Sequence, residues 1–346
     1  MLNPYLLGRS GLRVTRLSLG SMTFGMADWG CDEEEAGAML DLYLEAGGNF
    51  IDTADIYAEG ASEEMLGRLI AERGVRDRLV IASKCGLAQG HANAGGNGRK
   101  AMMAALDGSL RRLATDYLDL YYLHVWDGIT PAEEVLRAMD DAVSAGKIRH
   151  VALSNATGWY AAHAATLAQA RGFARPCAVQ LEYSLVERGI ELEFPSLCRE
   201  LGMGIIAWSP LCNGLLSGKH QPSEIAEGRI QAVGKRFDRL TERNWQIVAE
   251  LERVAAAIGR SMAEVAVNWV ANRPWVGSVI LGATRADQLR QTLGALDFTL
   301  PDEALTALDE ATALPPIFPY RFLATAQPRA LAGARDKWPG YHGRNA

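Results

Sequence analysis

The 346-residue sequence lacks cysteines spaced for a metal or redox site: Cys31, Cys85, Cys177, Cys198 and Cys212 are odd in number, scattered and free of any CxxC pair. Neither a disulfide framework nor a zinc site is signalled. It also lacks an excess of positive charge, its formal net charge being -6, and broad nucleic-acid binding needs concentrated Lys and Arg. A local anion site stays open. No apolar run is long enough to span a bilayer, and MLNPYLLGRSGLRV has no basic segment, apolar core and cleavage site of a secretory leader. The expectation is a soluble cytoplasmic protein that touches neither nucleic acid nor membrane. P-loop and HExxH sequences are absent too. Gly202-Met203-Gly204-Ile205-Ile206-Ala207 fits GxGxxG/A, but the helix-like SLCRELG precedes it and a strand-like run follows, the reverse of the order such a motif needs. Gly202 reads as a helix C-cap.

What is present is a repeating pattern. The chain is 49% hydrophobic and 22% charged, enough to bury a large core. Eight short apolar runs recur about every thirty residues, as buried parallel strands do: 14–20, 48–53, 78–84, 118–124, 150–155, 177–183, 204–209 and 277–282. Segments of helical period lie between them, several ending in glycine. Strands alternating with helices imply parallel pairing, and eight such units close into a (β/α)8 TIM barrel. An open doubly wound sheet is the alternative. Polar residues at the C-terminal ends of most runs favour closure, because in a barrel those ends converge on one mouth. GRSG at 8–11 predicts an N-terminal β-hairpin at the other end of the barrel. Longer insertions fall at about 217–240 and 314–346; neither reads as a domain, so 1–346 is taken as one unit with its 314–346 extension near the mouth.

Four polar residues at or just beyond these ends, Asp52, Tyr57, Lys84 and His124, suit carbonyl reduction, which needs a hydride donor at carbon and an acid near oxygen. Tyr57 is the candidate acid. An ammonium about 4 Å away, at an effective dielectric of about 20, is worth around 4 kcal/mol, so Lys84 is expected to lower the Tyr57 pKa from its usual value of about 10. Asp52 is expected to pair with Lys84 and His124 to orient the substrate oxygen. Taken singly, each has an ordinary structural explanation.

The motifs NFIDTADIY, SEEMLGRLI, LVIASK, SLRRLATDYLDLYYLHVWD, GKIRHVALSN, VQLEYSL and AWSPLCNGLLSGK resemble those of the aldo-keto reductases over almost the whole chain. Within that superfamily the sequence is most similar to the longer bacterial reductases related to potassium-channel β subunits. The resemblance implies Tyr57 as acid, Lys84 and Asp52 as its tuning pair, and His124 as the orienting group.

It also implies a cofactor set. Ser154, Asn155 and Gln180 offer the donors and acceptors a nicotinamide carboxamide needs, and Trp208 is large and flat enough to stack on its ring. Ser209, Pro210, Leu211, Asn213, Gly214, Leu215 and Lys219 form a loop suited to a pyrophosphate. Gly282, Thr284, Arg285 and Gln288 follow the last strand, where barrels commonly bind phosphate. Arg285 suits an adenosine 2'-phosphate, which favours NADPH/NADP+ over NADH. Ser21, Met22, Asp52 and Arg229 complete the set. One departure is Gln291-Thr292, where relatives carry an acidic residue and then Asn for the adenine. Tyr57 and His124 are expected to face a nicotinamide stacked on Trp208, with Lys84 and Asp52 behind.

Phe24, Trp29 and Trp126, with Met22 and the tail aromatics Phe318, Tyr320 and Phe322, are expected to line a pocket for an apolar or aromatic aldehyde or ketone. No structural metal is expected. Two other readings stay open: a cofactor-binding redox sensor like the channel subunits, and, more remotely, a metal-dependent barrel hydrolase or lyase using Asp52, His124 and Asp127. Oligomerisation and the direction of the reaction are left open.

Overall fold

The chain enters through the hairpin of β1 (Pro4–Leu6) and β2 (Arg13–Thr15), paired antiparallel. At its turn Gly8 has φ +56°, and a Cβ there would lie 2.6 Å from the carbonyl oxygens of Cys177 and Gly202. Only glycine fits this approach. Eight parallel strands follow: β3 (Leu17–Gly20), β4 (Phe50–Asp52), β5 (Val80–Cys85), β6 (Leu118–Leu123), β7 (Ile148–Ser154), β8 (Pro176–Glu182), β9 (Gly204–Trp208) and β10 (Val276–Leu281). Each pairs with the next and β10 closes on β3, so the expected barrel is the fold. The first apolar run is divided between hairpin and barrel at Arg16, whose side chain donates to the carbonyl of Ala271 at 2.8 Å.

The surrounding helices are α1 (Glu33–Glu45), α2 (Ala61–Arg73), α3 (Arg99–Arg112), α4 (Ala132–Ser144), α5 (Gly158–Arg171), α6 (Phe194–Leu201), α7 (Glu242–Ile258), α8 (Met262–Ala271), α9 (Ala286–Leu293) and α10 (Asp302–Ala311). They pack apolar faces on the barrel's outer surface, where most of the core lies. This computed structural model describes residues 2–87, 90–232 and 239–330; among them no helix is long and apolar enough to cross a membrane. Residues 313–330 form a separate unit containing α11 (Tyr320–Ala330), which has no buried residue. The remainder of the 314–346 extension, and 233–238 of the 217–240 insertion, lie outside the described residues.

The period of two along each strand decides what reaches the mouth. Phe50, Val80, Ala82, Leu120, Tyr122, Ala152, Ala178, Ile206 and Ile280 form one buried cluster inside the barrel, joined by Leu7 and Val14 of the hairpin. Two residues further along the same strands stand Asp52, Lys84, His124, Ser154, Gln180 and Trp208. The alternation that fills the interior thus carries six of the predicted site residues into its top layer.

Candidate active site

Lys84 is at the centre of this layer and shows no exposed surface. Its Nζ donates to Asp52 Oδ1, to the Thr53 carbonyl at 2.9 Å and to Tyr57 Oη at 3.1 Å, which uses all three of its hydrogens. Burial pulls Lys84 down, but Asp52 and Tyr57 outweigh it and hold the ammonium above its ordinary pKa. Lys84 is therefore a fixed cation. The other oxygen of Asp52 accepts from Gln180 Nε2 at 2.6 Å, so an amide from the far side of the barrel completes the carboxylate.

Tyr57 follows β4 and opens a tight turn in which Ala58 and Glu59 have φ of 48° and 55°. Its ring meets His124 edge to face, with centroids 6.1 Å apart. Lys84 pulls the phenol down as expected, but burial pushes it up by more, and the net shift is upward. The expected lowering is thus corrected: the buried hydroxyl keeps its proton. Burial first, and then Lys84, push the His124 pKa down to about 3, so the imidazole is neutral at ordinary pH; its Nδ1 is buried without a partner. A neutral phenol backed by an ammonium, beside a neutral imidazole, is an arrangement that can protonate an oxygen on which negative charge builds.

Strained backbone marks the same rim. Of seven non-glycine residues with positive φ among the described residues, six follow β4, β7 or β9: Ala58, Glu59, Asn155, Ser209, Cys212 and Asn213. Such conformations cluster where surrounding structure over-determines them.

Ser154 and Asn155 end β7, where Asn155 Nδ2 donates to Ser154 Oγ at 3.1 Å. Trp208 ends β9, and its Nε1 donates to Asn155 Oδ1 at 3.1 Å. Beyond it, the Asn213 amide donates to Ser209 Oγ at 3.2 Å and Pro210, Leu215 and Asn213 are buried. Gly214 has φ +96°, with the Lys219 side chain and His220 Nε2 against it. Arg229 reaches back across the mouth: Nη2 lies 3.4 Å from the sulfur of Met22 and the guanidinium sits over the Trp29 ring. Burial holds its pKa below the usual value. Asn213 Oδ1, Arg229 Nε and both His220 nitrogens are buried without partners. The unpaired N–H groups of Arg229 and His220, with the exposed Lys219 beside them, fit a bound polyanion such as a dinucleotide's pyrophosphate; Asn213 Oδ1, an acceptor, does not serve the anion.

At the end of β10, Gly282 is exposed and Thr284 donates twice to Gln288 Oε1, from its amide at 3.0 Å and its hydroxyl at 3.2 Å. Arg285 is exposed and paired with Asp287. Glu35 accepts from the Ala286 amide at 2.5 Å, so the N-terminus of α9 already faces a carboxylate. At the departure noted in the sequence, Thr292 turns its hydroxyl to the carbonyls of Gln288 and Leu289, leaving only Gln291 exposed.

Some expected residues lie elsewhere. Phe24 is wholly buried in the outer core, too enclosed to wall an open pocket. Trp126 stacks on Tyr160 with centroids 5.0 Å apart and meets Trp159 edge on; these aromatics line a surface crevice with Ile129, Pro131 and His163, because Trp126 points away from His124 toward α5. Ser21 accepts from Ser62 at 2.9 Å and anchors the start of α2. Asp127, given to the metal reading, caps its own loop by accepting from the Ile129 and Thr130 amides; among the described residues no three His, Cys, Asp or Glu gather to hold a metal.

Sequence reasoning missed the support beneath the tetrad. Glu63 is fully buried and accepts from Ser83 at 2.5 Å and from Arg112 at 2.8 Å. Asp55 lies beside it, and burial first, then Glu63, push its carboxyl up to about 7. The only signal was a carboxylate-rich stretch, DIYAEGASEE, which reads equally well as a solvated turn.

The aldo/keto reductase family profile matches residues 16–313. The uncharacterized oxidoreductase YrpG of Bacillus subtilis is 35% identical, over 88% of this chain and 94% of its own. A probable voltage-gated potassium channel subunit beta of Oryza sativa subsp. japonica is 36% identical, over 84% of this chain and 90% of its own. An aryl-alcohol dehydrogenase [NADP(+)] of Phanerodontia chrysosporium is 30% identical, over 95% of this chain and 91% of its own.

Proposed function

The chain belongs to the aldo/keto reductase family, and on that premise we propose that it reduces an aldehyde or ketone to the alcohol, reversibly, with NADPH as cofactor and Tyr57 as the acid. The observation that carries this reading is the Lys84 ammonium held between Asp52 and Tyr57, with His124 against the same phenol. When bound, the nicotinamide supplies the hydride. Tyr57 gives its proton from Oη to the substrate oxygen, and Lys84, 3.1 Å behind, stabilises the phenolate left in its place. His124 stays neutral and is free to bond the same oxygen without carrying charge to the site. Asp52 and Gln180 fix the direction of Lys84, so little reorganisation accompanies proton transfer.

Ser154, Asn155 and Trp208 would hold the nicotinamide, the 209–219 loop and Arg229 the pyrophosphate, and Thr284, Arg285 and Gln288 the adenosine end. The 2'-phosphate preference rests on Arg285. Its pair with Asp287 lies in solvent and is weak for that reason, whereas an arginine gains more from a bidentate phosphate. Trp29 and Met22, held under Arg229, favour an aromatic carbonyl, in keeping with the aryl-alcohol relative. The test is a fluorescence titration with NADPH and NADH, then a panel of aromatic and aliphatic carbonyls at saturating cofactor. NADPH-dependent turnover of an aldehyde or ketone is expected. Cofactor binding without turnover, with a stoichiometric partner on purification, would move the chain to the sensor reading that the channel-subunit relative suggests.

A further inference from the structure

We propose that Glu63 is a positioning residue: with Ser83 and Arg112 it braces the turn that carries Tyr57 against the strand that carries Lys84, and so sets the separation of phenol and ammonium. The proposal rests on the reading of Tyr57 as the acid.

Tyr57 reaches Lys84 from a turn, not from a strand. The turn closes on its own chain, the Tyr57 amide donating to the Ala54 carbonyl at 3.1 Å and the Glu59 amide to the Ile56 carbonyl at 3.2 Å. A backbone tie to β5, from the Asp55 amide to the Lys84 carbonyl, is a long 3.3 Å. Ala58 and Glu59 hold φ of 48° and 55°, and such conformations persist only where the surroundings over-determine them. Support must come from outside the turn.

Glu63 supplies it. The residue lies in the first turn of α2, directly after the Tyr57 turn, and shows no exposed surface. Its Oε1 accepts from Ser83 Oγ at 2.5 Å. Ser83 precedes Lys84, so by the strand's period of two it faces the helices while Lys84 faces the barrel interior. The other oxygen, Oε2, accepts from Arg112 Nε at 2.8 Å and lies 2.7 Å from Nη2. Arg112 ends α3, and its side chain crosses Gly60 of the Tyr57 turn. A Cβ at Gly60, where φ is +97°, would lie 2.9 Å from Arg112 Cδ and 3.0 Å from Nε, so glycine there lets the guanidinium close on the turn. On the opposite flank, Ser62 Oγ donates to the Ser21 carbonyl at 2.7 Å. The turn after β4 is thereby tied to both neighbouring strands, to β5 through Glu63 and to the end of β3 through Ser62. Without the brace, the Tyr57 hydroxyl is free to drift from its 3.1 Å position on Lys84, and a misplacement of about 1 Å can cost about a hundredfold in rate.

The experiment measures single-turnover hydride transfer, the carbonyl KM and the NADPH dissociation constant in wild type, Glu63→Gln and Ser83→Ala, each also in a Tyr57→Phe background. Ser83→Ala removes one hydrogen bond and leaves the Arg112 pair whole, so it keeps the test open if Glu63→Gln does not fold. If Glu63 acts through Tyr57, the rate falls about threefold or more in Ser83→Ala and about tenfold or more in Glu63→Gln, while KM and the dissociation constant hold. Neither substitution then lowers the rate further once Tyr57 is Phe. Losses that persist in the Tyr57→Phe background, or a weakened NADPH at an intact rate, would show a general disturbance of the barrel and overturn the proposal. A wild-type rate in Ser83→Ala would overturn it too. No transfer in wild type, or undiminished transfer in Tyr57→Phe alone, overturns the reading of Tyr57 as the acid, and this inference with it.

Discussion

The Lys84–Asp52 pair and the loop after β9 differ in how complete their hydrogen bonding is. On the β4–β6 side every hydrogen of the Lys84 ammonium has an acceptor, both oxygens of Asp52 have donors, and Lys84 and Asp52 are buried. On the side of the loop after β9, Asn213 Oδ1, Arg229 Nε and the His220 nitrogens have no partners among the described residues, and Lys219 donates a 3.3 Å bond to the Glu227 carbonyl. The lesson is a division of labour. The fold alone assembles the proposed acid, whose geometry must be fixed before reaction, while the loop after β9, proposed to hold the pyrophosphate, keeps polar capacity for a ligand.

Breaking the complete half has the largest effect. Lys84→Met leaves Asp52 buried without its cation, and such losses cost about 3–5 kcal/mol; denaturant unfolding should show it, alongside a fall in turnover of about a hundredfold or more. Full stability in this variant would contradict the buried pair. Breaking the other half should touch affinity instead. Arg229→Ala is expected to raise the NADPH dissociation constant about tenfold or more, the worth of a charged hydrogen bond, and Lys219→Ala about threefold, in a salt-dependent way. Turnover at saturating cofactor should hardly change. A drop in turnover at unchanged affinity would move Arg229 into the chemical half.

The support beneath the tetrad gives a smaller, pH-signed effect. Asp55 is raised from 3.8 to about 7, so between those values the folded chain keeps a proton that the unfolded chain has lost. Its contribution is favourable below about pH 4 and is lost as pH rises through 7. Asp55→Asn should therefore stabilise the protein at pH 8, by about 1–2 kcal/mol after allowing for partial exposure, and leave pH 4 unchanged. His124, lowered to about 3, acts in the opposite direction, costing stability as pH falls from about 6.5 toward 3. Thermal melts across pH separate the two. The smallest effect is expected at the adenosine end. Glu35→Gln removes a carboxylate from the N-terminus of α9 and should raise NADPH affinity relative to NADH about two- to threefold; an unchanged ratio would place the 2'-phosphate elsewhere.

The strands and the tetrad were legible in the sequence for one reason: strands buried on both faces are short apolar runs, and the polar residues that end them stand out. LVIASK and LDLYYLH announce both strand and site residue. What was not legible depends on contacts between distant positions. Gln180 reaches Asp52 across 128 positions, so its tie to the tetrad appears only once the barrel closes. The direction of the Tyr57 shift depends on how deeply the ring is enclosed, which no spacing encodes. Trp126 follows two residues after His124, but the chain turns between them, and its ring joins Trp159 and Tyr160.

The most direct test of the account is a single-turnover measurement of hydride transfer from NADPH to the best aldehyde of the panel, in wild type and Tyr57→Phe, with the cofactor dissociation constant measured on the same samples. The account predicts a loss of rate of about a hundredfold or more at an unchanged dissociation constant. Transfer at the wild-type rate in Tyr57→Phe would contradict it.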